Sequence, residues 1–287
     1  MPYQRSLCLG VALSGVAGCT GIPGGGGAES QGSPGAPSLG SNGAAGTAGT
    51  GSTVPASGPQ SQPTASMHKL SLVEFTNSLH DLLGSNAPVT SELEPDQQVD
   101  GFRSVSGAGV AVSPAGVAQY ETAINAATQF AFSNTAQAGT VLSCVPASAT
   151  DANCPLSKAL GSFGRRALRR PLTDADVTRY AGVATDIAQE PGGSILVGLK
   201  YAVSAILQSP EFLYRVELGA PSAADGGRNK YTDFEMASRL ASLLWGSVPD
   251  DALLDMAAAG KLSTPEGVVA QANTMLASQK AERKSVA

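Results

Sequence analysis

The sequence predicts an all-α protein, an irregular multi-helix bundle around a central apolar helix at about residues 194–208. The run from 195 to 207 is apolar except at three positions. A helix that is apolar on every side is either a core helix or a membrane span. This run is too short for a span and contains Lys200, so we interpret it as a core helix. After Met67, apolar residues recur at steps of three and four, and no clear strand alternation is visible.

Residues 1–18 predict a lipoprotein signal peptide, because Arg5 precedes a largely apolar run. This run ends in the tetrapeptide VAGC at 16–19, which resembles a bacterial lipobox. Cys19 would receive diacylglycerol and become the mature N-terminus, giving the chain a membrane anchor. The alternative is an ordinary signal peptide with a chance cysteine. Thr20 follows the cysteine, so by analogy with lipoproteins we expect lipid anchoring at the outer membrane or on the periplasmic side of the envelope.

Residues 19–66 predict a disordered tether. After the cysteine the segment is almost wholly Gly, Ser, Ala, Pro, Thr and Gln, and Glu29 is its only charge. Such a composition cannot bury enough apolar surface to offset chain entropy. As a flexible coil it would span on the order of 40 Å and hold the folded part away from a membrane.

Segment 67–135 is predicted to hold two helices of one helical domain. Ser71 and Glu74 form a capping box at the start of the first helix. The sequence Ser113-Pro114 predicts the start of the second, with serine as the cap and proline at the first helical position. The acidic stretch within 85–112 lacks the spacing of a calcium-binding EF-hand loop, so we interpret it as a solvated loop.

Segment 140–219 is predicted to be a second helical domain, and it begins with a short loop containing Cys144 and Cys154. In an exported protein this pair predicts a disulfide. A zinc site is the alternative, but it needs more ligands, and His68 and His80 are far away in the sequence. The later stretch PEFLYRVELG is predicted to form a short helix after the central one.

A cluster of arginines lies at the C-terminal end of the helix predicted at about 155–169. The cluster consists of Arg165, Arg166, Arg169 and Arg170. Cations at a helix C-terminus complement the helix dipole, and acidic residues are available as ion-pair partners. These acidic residues are Asp174, Asp176, Glu211 and Glu217. The cluster therefore has two open interpretations, structural ion pairing and a binding site for an anion.

Segment 229–287 predicts a further group of helices, with a capping box at Thr232 and Glu235. Asp250, Asp251 and Asp255 resemble a carboxylate cluster, but acids are favoured in the first turn of a helix for capping reasons. We identify no catalytic constellation, no metal site and no cofactor motif in the chain. The net charge of −5 and the predicted export argue against nucleic acid as a partner.

These segments resemble a set of bacterial secreted proteins found in planctomycetes and myxobacteria. The segment LSLVEFTNSLHDLLG resembles the opening helix of planctomycete-specific domain three, with matches at Leu70, Glu74, Phe75, Asn77, Asp81, Leu82, Leu83 and Gly84. The segments FGRRALRRPLTDADVTRY and LQSPEFLYRVELG resemble domain five. The segment from Tyr231 to Leu262 resembles the start of domain four, which appears here in truncated form, with matches at Glu235, Ala237 to Leu240, Leu244-Trp245 and Pro249 to Asp251.

The resemblance covers about residues 67–280 and implies domains of unknown function, with no catalytic residue to transfer. Relatives often accompany a c-type cytochrome module, but this chain has no Cys-x-x-Cys-His motif for covalent haem. We therefore expect an exported lipoprotein, a helical scaffold or binding module whose partners are an exported c-type cytochrome or other redox or polymer-handling proteins. The alternatives are a truncated fragment of a larger secreted hydrolase or oxidoreductase whose active site is missing here, and a fragment that barely folds.

Overall fold

The structure is a computed structural model that describes residues 66–90, 92–96, 112–222 and 229–286. This part of the chain is mostly helical, which confirms the all-α class. The helices are α1 (Leu72–Leu83), α2 (Pro114–Ala131), α3 (Thr135–Val141), α4 (Leu156–Ala167), α5 (Asp174–Gln189), α6 (Ile195–Leu207), α7 (Pro210–Leu213), α8 (Asp233–Trp245), α9 (Asp251–Ala258), α10 (Pro265–Leu276) and α11 (Gln279–Val286). The predicted signal peptide, the tether up to residue 65 and Cys19 lie outside the described residues.

Capping boxes begin three of the helices in the described part of the chain, and those at Ser71 and Thr232 were predicted from the sequence. In each box the hydroxyl of the cap accepts the amide of the third helical residue, whose carboxylate accepts the amide of the cap. The pairs are Ser71 with Glu74, Thr173 with Asp176, and Thr232 with Glu235. Each cap contributes about 1 kcal/mol to helix stability and fixes where the helix begins.

The two segments 67–135 and 140–219 share one hydrophobic core. Its largest members include Phe75 of α1, Phe163 of α4 and Phe212 of α7, which are fully buried. Phe75 also meets Tyr120 of α2 edge-to-face, with 4.8 Å between the ring centroids. The predicted boundary between two domains at about 135–140 therefore does not correspond to a boundary between two cores.

Helix α6 packs against α5, α2 and α4. The contact with α5 is close at Gly198, where a Cβ atom would lie 2.1 Å from the carbonyl oxygen of Ala184. Helix α6 contributes fully buried residues such as Leu199 and Ile206 to the core, but its neighbours leave Tyr201 46% exposed, so one side of the helix faces solvent. No helix in the described ranges has the length and hydropathy needed to cross a membrane.

Within the described residues, four short strands form two antiparallel pairs, which the sequence did not predict. They are β1 (Ser66–Lys69), β2 (Tyr214–Glu217), β3 (Ala220–Pro221) and β4 (Asn229–Lys230). The helix predicted for PEFLYRVELG ends at Leu213, and the backbone continues as β2. The backbone becomes a strand here because β2 pairs with β1, where His68 lies opposite Arg215. This partner lies far away in the sequence, so the local pattern does not indicate it.

Helices α8, α9 and α10 pack around a second apolar cluster. Its centre includes Trp245, which donates from Nε1 to the carbonyl of Met275 at 3.2 Å and to Ser278 Oγ at 2.9 Å. These bonds satisfy the polar atom of a buried indole, so the tryptophan can fill the cluster without an unpaired donor.

Candidate functional site

Arg165 and Arg166, the first two of the four clustered arginines, connect α4 to neighbouring elements. Arg165 binds Asp255 with 2.6 Å between Nη2 and Oδ1, and its Nη1 lies 3.8 Å from Asp251. Arg166 donates to the carbonyl of Val141 at 2.8 Å. The carboxylates at the start of α9 therefore bind α4, and these two arginines hold neighbouring elements together.

Arg170 lies in an ion-pair network, as one interpretation of the cluster predicted. It donates to Asp176 Oδ2 at 2.9 Å and to the carboxylate of Glu211. Burial lowers the pKa of Arg170, but the hydrogen bonds and charges of Asp176 and Glu211 outweigh burial and raise the pKa overall. Its positive charge is therefore neutralised by two carboxylates of the protein.

Arg169 is the exception in the cluster, because it is buried and its hydrogen bonds to the described residues go to carbonyl groups. Its side chain donates to the carbonyl of Glu211 at 2.9 Å and to that of Phe212 at 2.9 Å. No carboxylate within the described residues forms a salt bridge with it. Burial lowers the pKa of Arg169 to about 10, with Arg215 acting in the same direction and Glu74 opposing. The guanidinium therefore stays charged at neutral pH inside the protein.

A cavity of about 500 Å³ lies where the end of α4 and strand β2 face the start of α8. Its lining residues are Leu168, Arg169, Arg170, Glu211, Val216, Leu218, Thr232, Phe234, Glu235 and Ser238. Ser238 is 5% exposed, and its Oγ atom has no hydrogen-bond partner among the described residues. The cavity thus joins apolar walls to a buried cation and an unpaired hydroxyl.

Glu235 lines the same cavity, but its carboxylate is fully used within the protein. Oε1 accepts the amides of Leu218 at 2.8 Å and Gly219 at 2.9 Å. Oε2 accepts the amide of Thr232 at 2.7 Å and its hydroxyl at 2.9 Å. Burial opposes ionisation, but these hydrogen bonds outweigh it and lower the pKa of Glu235. The carboxylate fixes the link between β2 and α8.

A second polar cluster surrounds Glu217, whose side chain is 2% exposed. It binds Arg215 Nε at 2.7 Å and Arg239 Nη1 at 2.7 Å, and His68 Nε2 lies 3.9 Å away. From the sequence, Glu217 is an available partner for the arginine cluster at 165–170. The structure pairs it with Arg215 and Arg239 instead, and no local sequence pattern indicates this, because β1, β2 and α8 meet only in the fold.

Three family models match the chain in series. PSD3, a protein of unknown function (DUF1587), matches residues 68–133. PSD5, a protein of unknown function (DUF1595), matches 156–217, and PSD4, a protein of unknown function (DUF1592), matches 231–287. The chain belongs to the proteins that carry PSD3, PSD5 and PSD4 in this order. The predicted resemblance is confirmed, and no curated protein and no solved structure matches the chain.

The polar residues of the PSD3 motif bind PSD4. Glu74, Asn77 and Asp81 are spaced three and four residues apart, so they share one face of α1. Each of them contacts α8 or the turn after it. The contacts join Glu74 to the hydroxyl of Ser242, Asn77 Nδ2 to the carbonyl of Gly246 at 3.2 Å, and Asp81 Oδ2 to Ser247 Oγ at 2.8 Å. This face of the motif therefore joins two family domains.

The predicted disulfide between Cys144 and Cys154 is present, in the segment before PSD5. Both sulfur atoms are used in this bond, so the zinc alternative is wrong. Among the described residues, no group of three or more His, Cys, Asp or Glu side chains is arranged to hold a metal ion.

Proposed function

We propose that this chain is a binding module of the cell envelope that holds a ligand in the cavity between PSD5 and PSD4. The observation that carries the proposal is the cavity itself. Its volume of about 500 Å³ lies within the range of ligand pockets, and its walls are mainly apolar with a few convergent polar groups. These are the general properties of a site for a small molecule or for a short part of a larger one.

Binding is favoured over catalysis by the state of the polar groups that line the cavity. A general acid or base needs a titratable group that is free to exchange a proton with the substrate. Glu211 is paired with Arg170, and Glu235 accepts four hydrogen bonds from the protein. The described residues that line the cavity include no histidine and no cysteine. The cavity can therefore recognise and hold a ligand, but its carboxylates are committed to the fold.

The cavity proposal has a direct test by photo-crosslinking. Leu218 lines the cavity and is 55% exposed, and Val117 on α2 is 58% exposed and does not line it. A photoreactive amino acid at position 218 should give a specific adduct in cells, and the same group at 117 should not. Equal adducts at both positions, or none at 218, would refute the proposal.

The localisation in this proposal is the outer membrane or the periplasmic side of the envelope, with Cys19 as the site of lipid attachment. The tetrapeptide at 16–19 and the glycine-rich tether support it, and the disulfide between Cys144 and Cys154 is of a kind found mainly in oxidising compartments. The expected partners are an exported c-type cytochrome or other exported redox or polymer-handling proteins.

Metabolic labelling with palmitate tests whether the chain is lipid-anchored through Cys19. The wild type should incorporate label and Cys19→Ala should not, and globomycin should cause the unprocessed form to accumulate. Equal labelling of both proteins would exclude Cys19 as the lipid site. Copurification from membranes tests the partners, and recovery of no exported protein at all would contradict that part of the proposal.

A further inference from the structure

We propose that the ligand of this cavity carries a carboxylate on an apolar group, with the carboxylate bound to Arg169 and Ser238. This inference rests on the proposed binding function and adds the chemical class of the ligand. A free aliphatic acid and the C-terminus of a polypeptide share this chemistry.

Arg169 carries a charge that no carboxylate of the described residues pairs in a salt bridge, and the charge of Glu74 and the ring of Phe212 compensate it only in part. A buried cation is costly unless an anion and hydrogen bonds replace its hydration. The neighbouring Arg170 lines the same cavity and has Asp176 and Glu211 as partners. Among the described residues Arg169 donates two hydrogen bonds, both to carbonyls, and its guanidinium lies 5.8 Å from the ring centroid of Phe212, whereas a guanidinium carries five N–H donors. A carboxylate entering the cavity would supply the missing anion and accept donors that the protein leaves unused.

The backbone at Arg169 has φ +61 just after the end of α4. Glycine is the usual residue in this left-handed position, because a side chain there is strained. Strained residues persist where the surrounding structure or the function requires the side chain. Arg169 fixes the carbonyls of Glu211 and Phe212, and the same side chain lines the cavity.

The buried hydroxyl of Ser238 has no hydrogen-bond partner in the part of the chain that the structure describes. Buried polar groups are normally paired, so an unpaired hydroxyl that lines a cavity indicates a bond to a ligand. A carboxylate has two oxygens and can accept bonds from a guanidinium and a hydroxyl together.

The remaining lining residues fit an apolar tail. Leu168, Val216 and Phe234 give the cavity its apolar surface. Glu211 and Glu235 do not repel an anion strongly, because an arginine neutralises the first and four hydrogen bonds disperse the charge of the second.

Calorimetry on the full chain with two ligand pairs tests the inference. The first pair is octanoate and octanol, and the second is a short peptide ending in leucine and the same peptide with a C-terminal amide. At least one acid should bind about tenfold or more tightly than its uncharged counterpart, since a charge-assisted hydrogen bond is lost with the charge. Binding of octanoate indicates a free acid as the source, and binding of the peptide acid alone indicates a polypeptide C-terminus.

Variants of the chain locate the carboxylate. Arg169→Gln should weaken the acid at least tenfold, and Arg166→Gln, from the same cluster but outside the cavity, should leave its affinity unchanged. Ser238→Ala should weaken the acid about fivefold and leave the melting temperature at or above that of the wild type, because the hydroxyl has no protein partner. If Arg169→Gln fails to fold, Ser238→Ala decides the question.

Two results would overturn the inference. One is equal affinity for the acids and their uncharged counterparts, and the other is unchanged affinity in both cavity variants. A specific crosslink at residue 218 together with either result would leave the binding module standing and reject only the carboxylate. Loss of the crosslink as well would reject both.

Discussion

Replacing Glu217 by glutamine should destabilise the protein strongly, because one buried carboxylate holds two arginines. The substitution keeps the shape of the side chain and removes its charge. Arg215 and Arg239 would then face an amide, which offers one oxygen and directs N–H donors toward groups that are donors themselves. Both positive charges would remain close together without an anion between them.

The magnitude follows from the burial of the two partners. A hydrogen bond to a charged group contributes about 1.5–3 kcal/mol, and the bond to Arg215 belongs to this class because its side chain is 18% exposed. The side chain of Arg239 is 43% exposed, so solvent screening reduces its bond to about 1 kcal/mol or less. The sum is about 3 kcal/mol, which for a folded part of this size lowers the melting temperature by about 6–12 °C.

Thermal unfolding followed by circular dichroism measures this effect. Glu121→Gln makes the same chemical change at an exposed position of α2, and we expect it to stay within about 1 °C of the wild type. Hydrogen exchange should also become faster in α8, because Arg239 lies on that helix. A melting temperature for Glu217→Gln within 1 °C of the wild type would refute the reasoning.

Three other perturbations have outcomes that follow from single contacts. Gly198→Ala should lower the melting temperature because its Cβ would collide with the backbone of α5, whereas Gly182→Ala, with open space around it, should raise stability by about 0.5–1 kcal/mol; an equal response to both would contradict the close packing of α5 and α6. Replacing Cys144 and Cys154 by serine should cost about 3 kcal/mol in urea unfolding, and no change would mean that the loop closure does not stabilise the fold. The pKa of Glu235 is lower in the folded protein than its ordinary value of 4.5. Its contribution to the stability of the fold is therefore present above pH 4.5 and is lost as the pH falls through the pKa of the folded state. Acid titration of Glu235→Gln should therefore show a flatter loss of stability than the wild type, and identical curves would exclude this group.

The features that the sequence predicted correctly depend on residues close together in the chain. The capping box at Ser71 and Glu74 needs only a spacing of three residues, and the disulfide between Cys144 and Cys154 closes a short loop. Strand β2 was missed because Tyr214–Glu217 pairs with a segment near the start of the folded part. Its pattern is too short to distinguish a strand from the end of a helix.

The cavity could not be predicted for the same physical reason. In the sequence, Arg165 and Arg169 belong to one cluster, and each could pair with an acidic residue of the protein or bind an anionic ligand. Their environments differ only because Asp255 lies opposite Arg165, while Arg169 faces carbonyls of α7. The hydroxyl of Ser238 is one of many in the sequence, and its lack of a partner is a property of the packed structure.

The contacts between the family domains imply that PSD3, PSD5 and PSD4 stabilise one another. Glu217 belongs to PSD5, but one of its two arginines comes from PSD4. Removal of PSD4 would take Arg239 from a buried carboxylate and would also expose the polar face of α1 that binds the end of α8. The cavity has its walls on PSD5 and PSD4, so it exists only when both are present. PSD5 and PSD4 therefore form the site, and PSD3 supports it by binding the end of α8.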